Sequence, residues 1–175
     1  MASAVAWNPF QNEPLKVPED YEWLKELTKS AGGDNQRRRV SQDDLAPFNR
    51  LVDGWLLAIA LGARHHSEPA NYEAPTHRFE YGSRLAGNEH AIDFLHQVAL
   101  AELLRTVQNP EEAEKAAYVV IDEPARVIAI CNHLAARGMP ELRELVDSAA
   151  QFPLYGLLRG LAKELEPTSP GDPSE

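Results

Sequence analysis

Apolar residues recur along most of this chain at three- and four-residue spacing, the period of a helix buried on one side. Pro18 stands at the first position of a predicted helix through EDYEWLKELTKS. Tyr21, Leu24 and Leu27 (with Trp23) form its stripe, and Gly32-Gly33 is its stop. A second helix is expected from about Asp44 to Leu61, with Pro47 in its first turn and Gly62 as its stop. Its second half, Trp55 to Leu61, is apolar all round, as a buried central helix would be. Asn88 caps an amphipathic helix over 89–108, with Ile92, Leu95, Ala99 and Leu103 on one face. Asn109-Pro110 opens another, with Glu111 and Glu112 in its first turn, where the helix dipole favours acids. Asp122, with Pro124 two residues on, begins a helix carrying Val127, Ile128, Cys131 and Leu134 inward and ending at Gly138. Pro140 starts the next, through Leu142, Leu145 and Val146, and a last helix spans roughly 154–165.

The predicted fold is thus all-α in the main, a bundle of six to seven helices. One short β segment is expected, at 78–81, where Arg78-Phe-Glu-Tyr alternates, or at the β-branched 118–121. Residues 1–17 read as an irregular arm pinned by Trp7, Phe10 and Leu15, and 18–165 as one helical domain. The polar, Pro-rich 166–175 reads as a disordered tail.

Composition narrows the function. The 175 residues carry 27 acidic and 17 basic side chains, a net charge of −10. Such a field repels nucleic-acid backbones and argues against nonspecific coating of the whole surface. A single cysteine, Cys131, allows no internal disulfide and no Cys-based zinc site, and it favours a reducing compartment. The start, MASAVAWNPF, has no basic region followed by an apolar run, and Trp55 to Leu61 falls far short of the ~20 apolar residues of a membrane span. The expectation is a cytoplasmic protein.

Candidate chemistry is sparse. His90, Asp93 and His96 share one helix, but at 100° per residue His96 lies about 240° round from His90, so the three do not converge on a metal. His65-His66 follows the central helix and reads as a C-terminal cap favoured by the dipole. Cys131 and His133, two residues apart on a helix, diverge by ~200°, and Cys131 falls on the apolar stripe as a structural thiol. Gly-rich phosphate loops, nucleophile elbows and HExxH pairs do not occur. No catalytic residue, cofactor or metal site is therefore assigned. Arg37-Arg38-Arg39 runs against the global charge; it suits a phosphate backbone or an acidic protein surface, with Arg64 and Arg84 as supplements. Trp7, Phe10, Tyr72 and Tyr81 are the candidate partner anchors, since aromatics and arginine dominate interfaces.

Four segments, VPEDYEWLKELTKS (17–30), LVDGWLLAIALGARHH (51–66), AIDFLHQVALAEL (91–103) and ARVIAICNHLAARGMPELRELVD (125–147), together resemble the small accessory proteins associated with Dnd-type DNA phosphorothioation systems. The shared features are an opening Tyr/Leu helix, a central helix closing on Leu-Gly, an Ala/Leu helix and a closing helix that breaks at Gly138. Where that family has an acidic-aromatic segment before the closing glycine, ICNHLAARG stands here. The resemblance implies a non-catalytic adaptor of a bacterial anti-phage or restriction complex, bound to larger protein subunits. The alternative is a nucleic-acid-binding module built on the 37–39 loop.

Overall fold

The computed structural model describes residues 7–28, 48–65, 67–105, 107–147 and 159–160. Among them are strand β1 (Pro14–Val17), α1 (Glu22–Glu26), α2 (Leu51–Gly62), strand β2 (His77–Tyr81), a 3-10 turn (Gly82–Leu85), α3 (Glu89–Leu104), α4 (Pro110–Asp122) and α5 (Pro124–Asp147). The protein is mainly helical with one two-stranded antiparallel sheet. The expected basic loop at 34–40, the tail at 166–175 and all but Arg159 and Gly160 of the last predicted helix lie outside the described residues. No helix among those described is long and apolar enough to cross a membrane.

α2 and α5 cross in direct backbone contact, and this crossing organises the core. A Cβ built on Gly62 would stand 1.9 Å from the Leu134 carbonyl oxygen, and one on Gly138 would stand 2.0 Å from that of Ala58. Both glycines are therefore spacers between helices. Gly138 is not the stop that its position before Met-Pro suggests, and α5 runs unbroken to Asp147. Pro140 withholds the amide that the Ala136 carbonyl would receive, at a cost of ~3 kcal/mol. Leu142 and Val146 beyond it are buried, each contributing about 1.5–3 kcal/mol, enough to hold the last two turns on the same axis. Two expected helices are consequently one, and five α-helices are described where six or seven were expected.

Local signals place the other helix ends. The Asn88 side chain accepts from the Ala91 amide at 3.1 Å, and that of Asn109 from Glu112 at 3.0 Å, each capping the helix predicted there. Residues 118–121 are helical, since the Asn109-Pro110 start commits the whole segment. α2 begins later than expected. Asp53 accepts from the Arg50 amide at 3.0 Å and fixes the start at Leu51, while Phe48 is still extended, its amide bonded to Leu27 at 3.2 Å. α1 likewise starts at Glu22 and not at Pro18, because Pro18 directly follows a strand.

That strand corrects the expected irregular arm. β1 pairs with β2, Pro14 opposite Tyr81 and Val17 opposite His77, with an irregularity after Leu15 that leaves Phe79 as the extra residue. Its other edge is satisfied by side chains. Asn132 of α5 accepts from the Lys16 amide at 2.7 Å and donates to Pro14 at 3.0 Å, and the Trp55 indole donates to the Lys16 carbonyl at 3.2 Å. An edge that would otherwise recruit another chain is thereby closed. Leu15 and Val17 point into the core, and Phe10 ahead of them is fully buried against the backbone of Gly82.

Candidate functional site

A group of hydrogen-bonded polar side chains lies along one flank of α5 and at the C-terminal end of α2. A helix end leaves carbonyls unpaired and carries partial negative charge. Two arginines answer both. Arg137, 5% exposed, donates its Nε to the Gly62 carbonyl at 2.8 Å and its Nη2 to Glu102 at 3.0 Å. Arg105 donates to the carbonyls of Ala63 and His65 and pairs with Glu102 at 2.7 Å. One carboxylate thus holds two guanidiniums on the end of the central helix. His65 does not serve as the cap; its Nε2 meets Glu141 at 2.7 Å, and His66 lies outside the described residues. Replacing Arg137 with methionine leaves the Gly62 carbonyl only its longer bond from the His65 amide, at 3.3 Å, and takes one guanidinium from Glu102. The expected loss is about 2 kcal/mol by urea denaturation, below that of a fully buried ion pair because Glu102 stays partly solvated and keeps Arg105.

One turn before Arg137, His133 Nδ1 shares a 2.7 Å hydrogen bond with the Tyr72 hydroxyl, and its Nε2 faces Glu68 at 3.2 Å. The carboxylate selects the tautomer with hydrogen on Nε2, so Nδ1 accepts from the phenol. This resembles a proton relay in outline only. Burial, aided by the Glu68 charge, pushes the Tyr72 hydroxyl above its ordinary value, so it stays a protonated donor that pins residues 68–72 onto α5. Cys131 is equally unsuited to attack. Its thiol is buried beside the Leu95 carbonyl, and burial pushes it up to about 12.

The histidines do not gather. His96 lies under the rings of Trp7 and Phe10, with centroids at 6.3 and 4.9 Å, and burial lowers it below its ordinary value against the pull of Asp93. His77 packs on Tyr21, and His133 is held as above. Among the described residues no three His, Cys, Asp or Glu side chains are placed to share a metal ion.

The residues singled out in the sequence are scattered. Arg37, Arg38 and Arg39 lie outside the described residues. Arg64 pairs with Glu141 at 3.5 Å and Arg84 with Glu80 at 3.0 Å, so both supplements to a basic patch already face the chain's own carboxylates. Phe10 is a core residue, 0% exposed, and cannot anchor a partner. Tyr72 is committed to His133. Tyr81 is partly exposed under the Arg78 guanidinium, and Trp7 is 72% exposed.

The largest apolar exposure on a helix among the described residues is on α4, where sequence reasoning allowed a strand. Tyr118 is 57% and Ile121 71% exposed, three residues apart on one face, flanked by Glu114 and Asp122. Given the Asn109-Pro110 start, counting by three and four from buried Ala116 and Val120 puts both side chains outside. That was the available signal. Comparison with known protein families, with curated proteins and with solved structures finds no match for this chain.

Proposed function

We propose that this protein is a non-catalytic accessory subunit that binds other proteins through the outer face of α4, and that its setting is a bacterial anti-phage or restriction complex. The observation that carries the first half is the Tyr118–Ile121 pair. A branched aliphatic and an aromatic side chain left in water on one helical face are the kind of anchors an interface buries. The groups that chemistry would draw on are engaged elsewhere: Arg137, Arg105 and Glu102 end a helix, His133 and Tyr72 pin a loop, and the Cys131 thiol stays protonated. The second half rests on the segments that resemble Dnd-associated accessory proteins.

The test is co-purification from the native host of tagged wild type and of the double variant Tyr118→Ala/Ile121→Ala. Recovery of the partner subunits is expected to fall at least about tenfold, the equivalent of ~1.4 kcal/mol. The thermal midpoint should stay unchanged, because truncating exposed side chains rarely moves stability by more than ~0.5 kcal/mol. Equal recovery with both proteins would remove α4 as the interface. Partners unrelated to phage restriction would remove the proposed setting.

A further inference from the structure

Pro18, Trp23, Met139 and Pro140 wall a cleft of about 220 Å³ between the approach to α1, residues 71–73 and α5. Pockets for drug-sized ligands run about 300–1,000 Å³, so this one has room for one or two amino-acid side chains and not for a cofactor. Its apolar walls are stiff. Two are proline rings, and Trp23 is fixed by its indole N–H, which donates to the Asp20 carbonyl at 3.2 Å. The rim is polar and unevenly committed. Arg143 is satisfied, bonded to Asp20 at 3.1 Å, 3.8 Å from Asp147, and stacked 5.9 Å from the centre of the Trp23 ring. The side chains of Asn71 and Glu73 have no partner among the described residues.

We propose that this cleft is a docking slot for a short extended peptide of a partner protein in which a proline neighbours an arginine or lysine. A proline ring suits a stiff slot bounded by an indole and two pyrrolidines. Proline-bearing segments reach such aromatic-lined grooves already extended, with little entropy left to lose. Their solvated carbonyls match the free Asn71 amide, and the uncommitted Glu73 carboxylate matches an adjacent cation. The lining carries two carboxylates, Asp20 and Glu73, and one guanidinium, Arg143, in a chain of net charge −10, so a basic peptide is favoured over an acidic one. The slot is made from α1, α5 and the loop between α2 and β2, and so stands or falls separately from the α4 face.

The experiment is a titration of the ¹⁵N-labelled full chain, following the Trp23 indole resonance, with three synthetic decapeptides that differ only in a central Pro-Pro-Arg, Ala-Ala-Arg or Pro-Pro-Glu. A saturable shift is expected with the first, with the other two at least about tenfold weaker. Glu73→Lys, at an exposed position, is expected to weaken the first peptide by a similar factor while leaving the spectrum otherwise folded. Tyr118→Ala/Ile121→Ala is expected to bind it as wild type does. No shift up to about 1 mM peptide, equal shifts with all three, or an unaltered response in Glu73→Lys would overturn the proposal. So would loss of peptide binding in the α4 variant, or a concentration-dependent Trp23 shift without peptide, which would make a second copy of the chain the occupant. Peptide binding that persists while co-purification proves independent of Tyr118 and Ile121 would count against the α4 interface alone.

Discussion

Gly138→Ala is expected to cost about 4 kcal/mol or more, and to leave little folded protein if the chain has the 5–15 kcal/mol common to natural domains. The added methyl would stand 2.0 Å from the Ala58 carbonyl oxygen and 2.6 Å from the Gly62 amide nitrogen, both backbone atoms of α2. A flexible side chain could swing away; a helix cannot. Relief would require α2 and α5 to separate by more than an ångström, opening gaps along the crossing where Trp55, Ile59, Leu134 and Leu142 are fully enclosed. Gly62→Ala meets the Leu134 carbonyl in the same way and should be comparably damaging. Urea unfolding of the two variants is the measurement. A drop of less than ~1 kcal/mol would mean that the helices do not touch backbone to backbone. Gly87→Ala is an instructive control, because no atom lies within 4 Å of its would-be Cβ and only its φ of 76° opposes the change, a smaller penalty.

The second large effect is at the N-terminal side. Phe10→Ala is expected to destabilise by about 3–5 kcal/mol, and deletion of residues 1–17 to abolish the cooperative unfolding transition. A partner-binding arm would be dispensable for folding. This segment is not, because Phe10, Leu15 and Val17 are fully buried and the backbone of β1 receives Asn132 and Trp55 as well as β2. Circular dichroism and a thermal melt of the truncated chain decide the point, and a native-like melt would contradict the packing described above.

How legible this was follows from the range of the interactions involved. Asn88 and Asn109-Pro110 announce their helices because a cap acts within three residues. The stripes on α3 and on the first half of α5 were readable for the same reason. β1 was not, since four residues beside prolines carry almost no periodic signal and become a strand only by pairing with residues 60 or more positions away. Gly138-Met-Pro reads as a break by local propensity, and the packing of Leu142 and Val146 overrides it. The candidate sites fared similarly. That Arg64 and Arg84 are paired, and that Arg105 and Arg137 cap α2, depends on contacts such as Glu102 with Arg137 that no spacing rule reveals. Tyr118 and Ile121 were hidden because the β-branched run 118–121 left a strand open as an alternative to the helix, and with it the face each side chain takes.

The anchoring of β1 has a consequence for how the chain is made. Its amides and carbonyls are claimed by β2 and by Asn132, and Lys16 and Asn132 are 116 positions apart. At synthesis rates of about 5–20 residues per second, Asn132 is joined to the nascent chain roughly 6–23 s after Lys16. β2 is made within that interval and can pair with one edge of β1, but the edge that Asn132 completes keeps the Lys16 amide open until α5 is made. The ribosome thus delivers first a segment whose hydrogen bonding is completed only when α5 emerges.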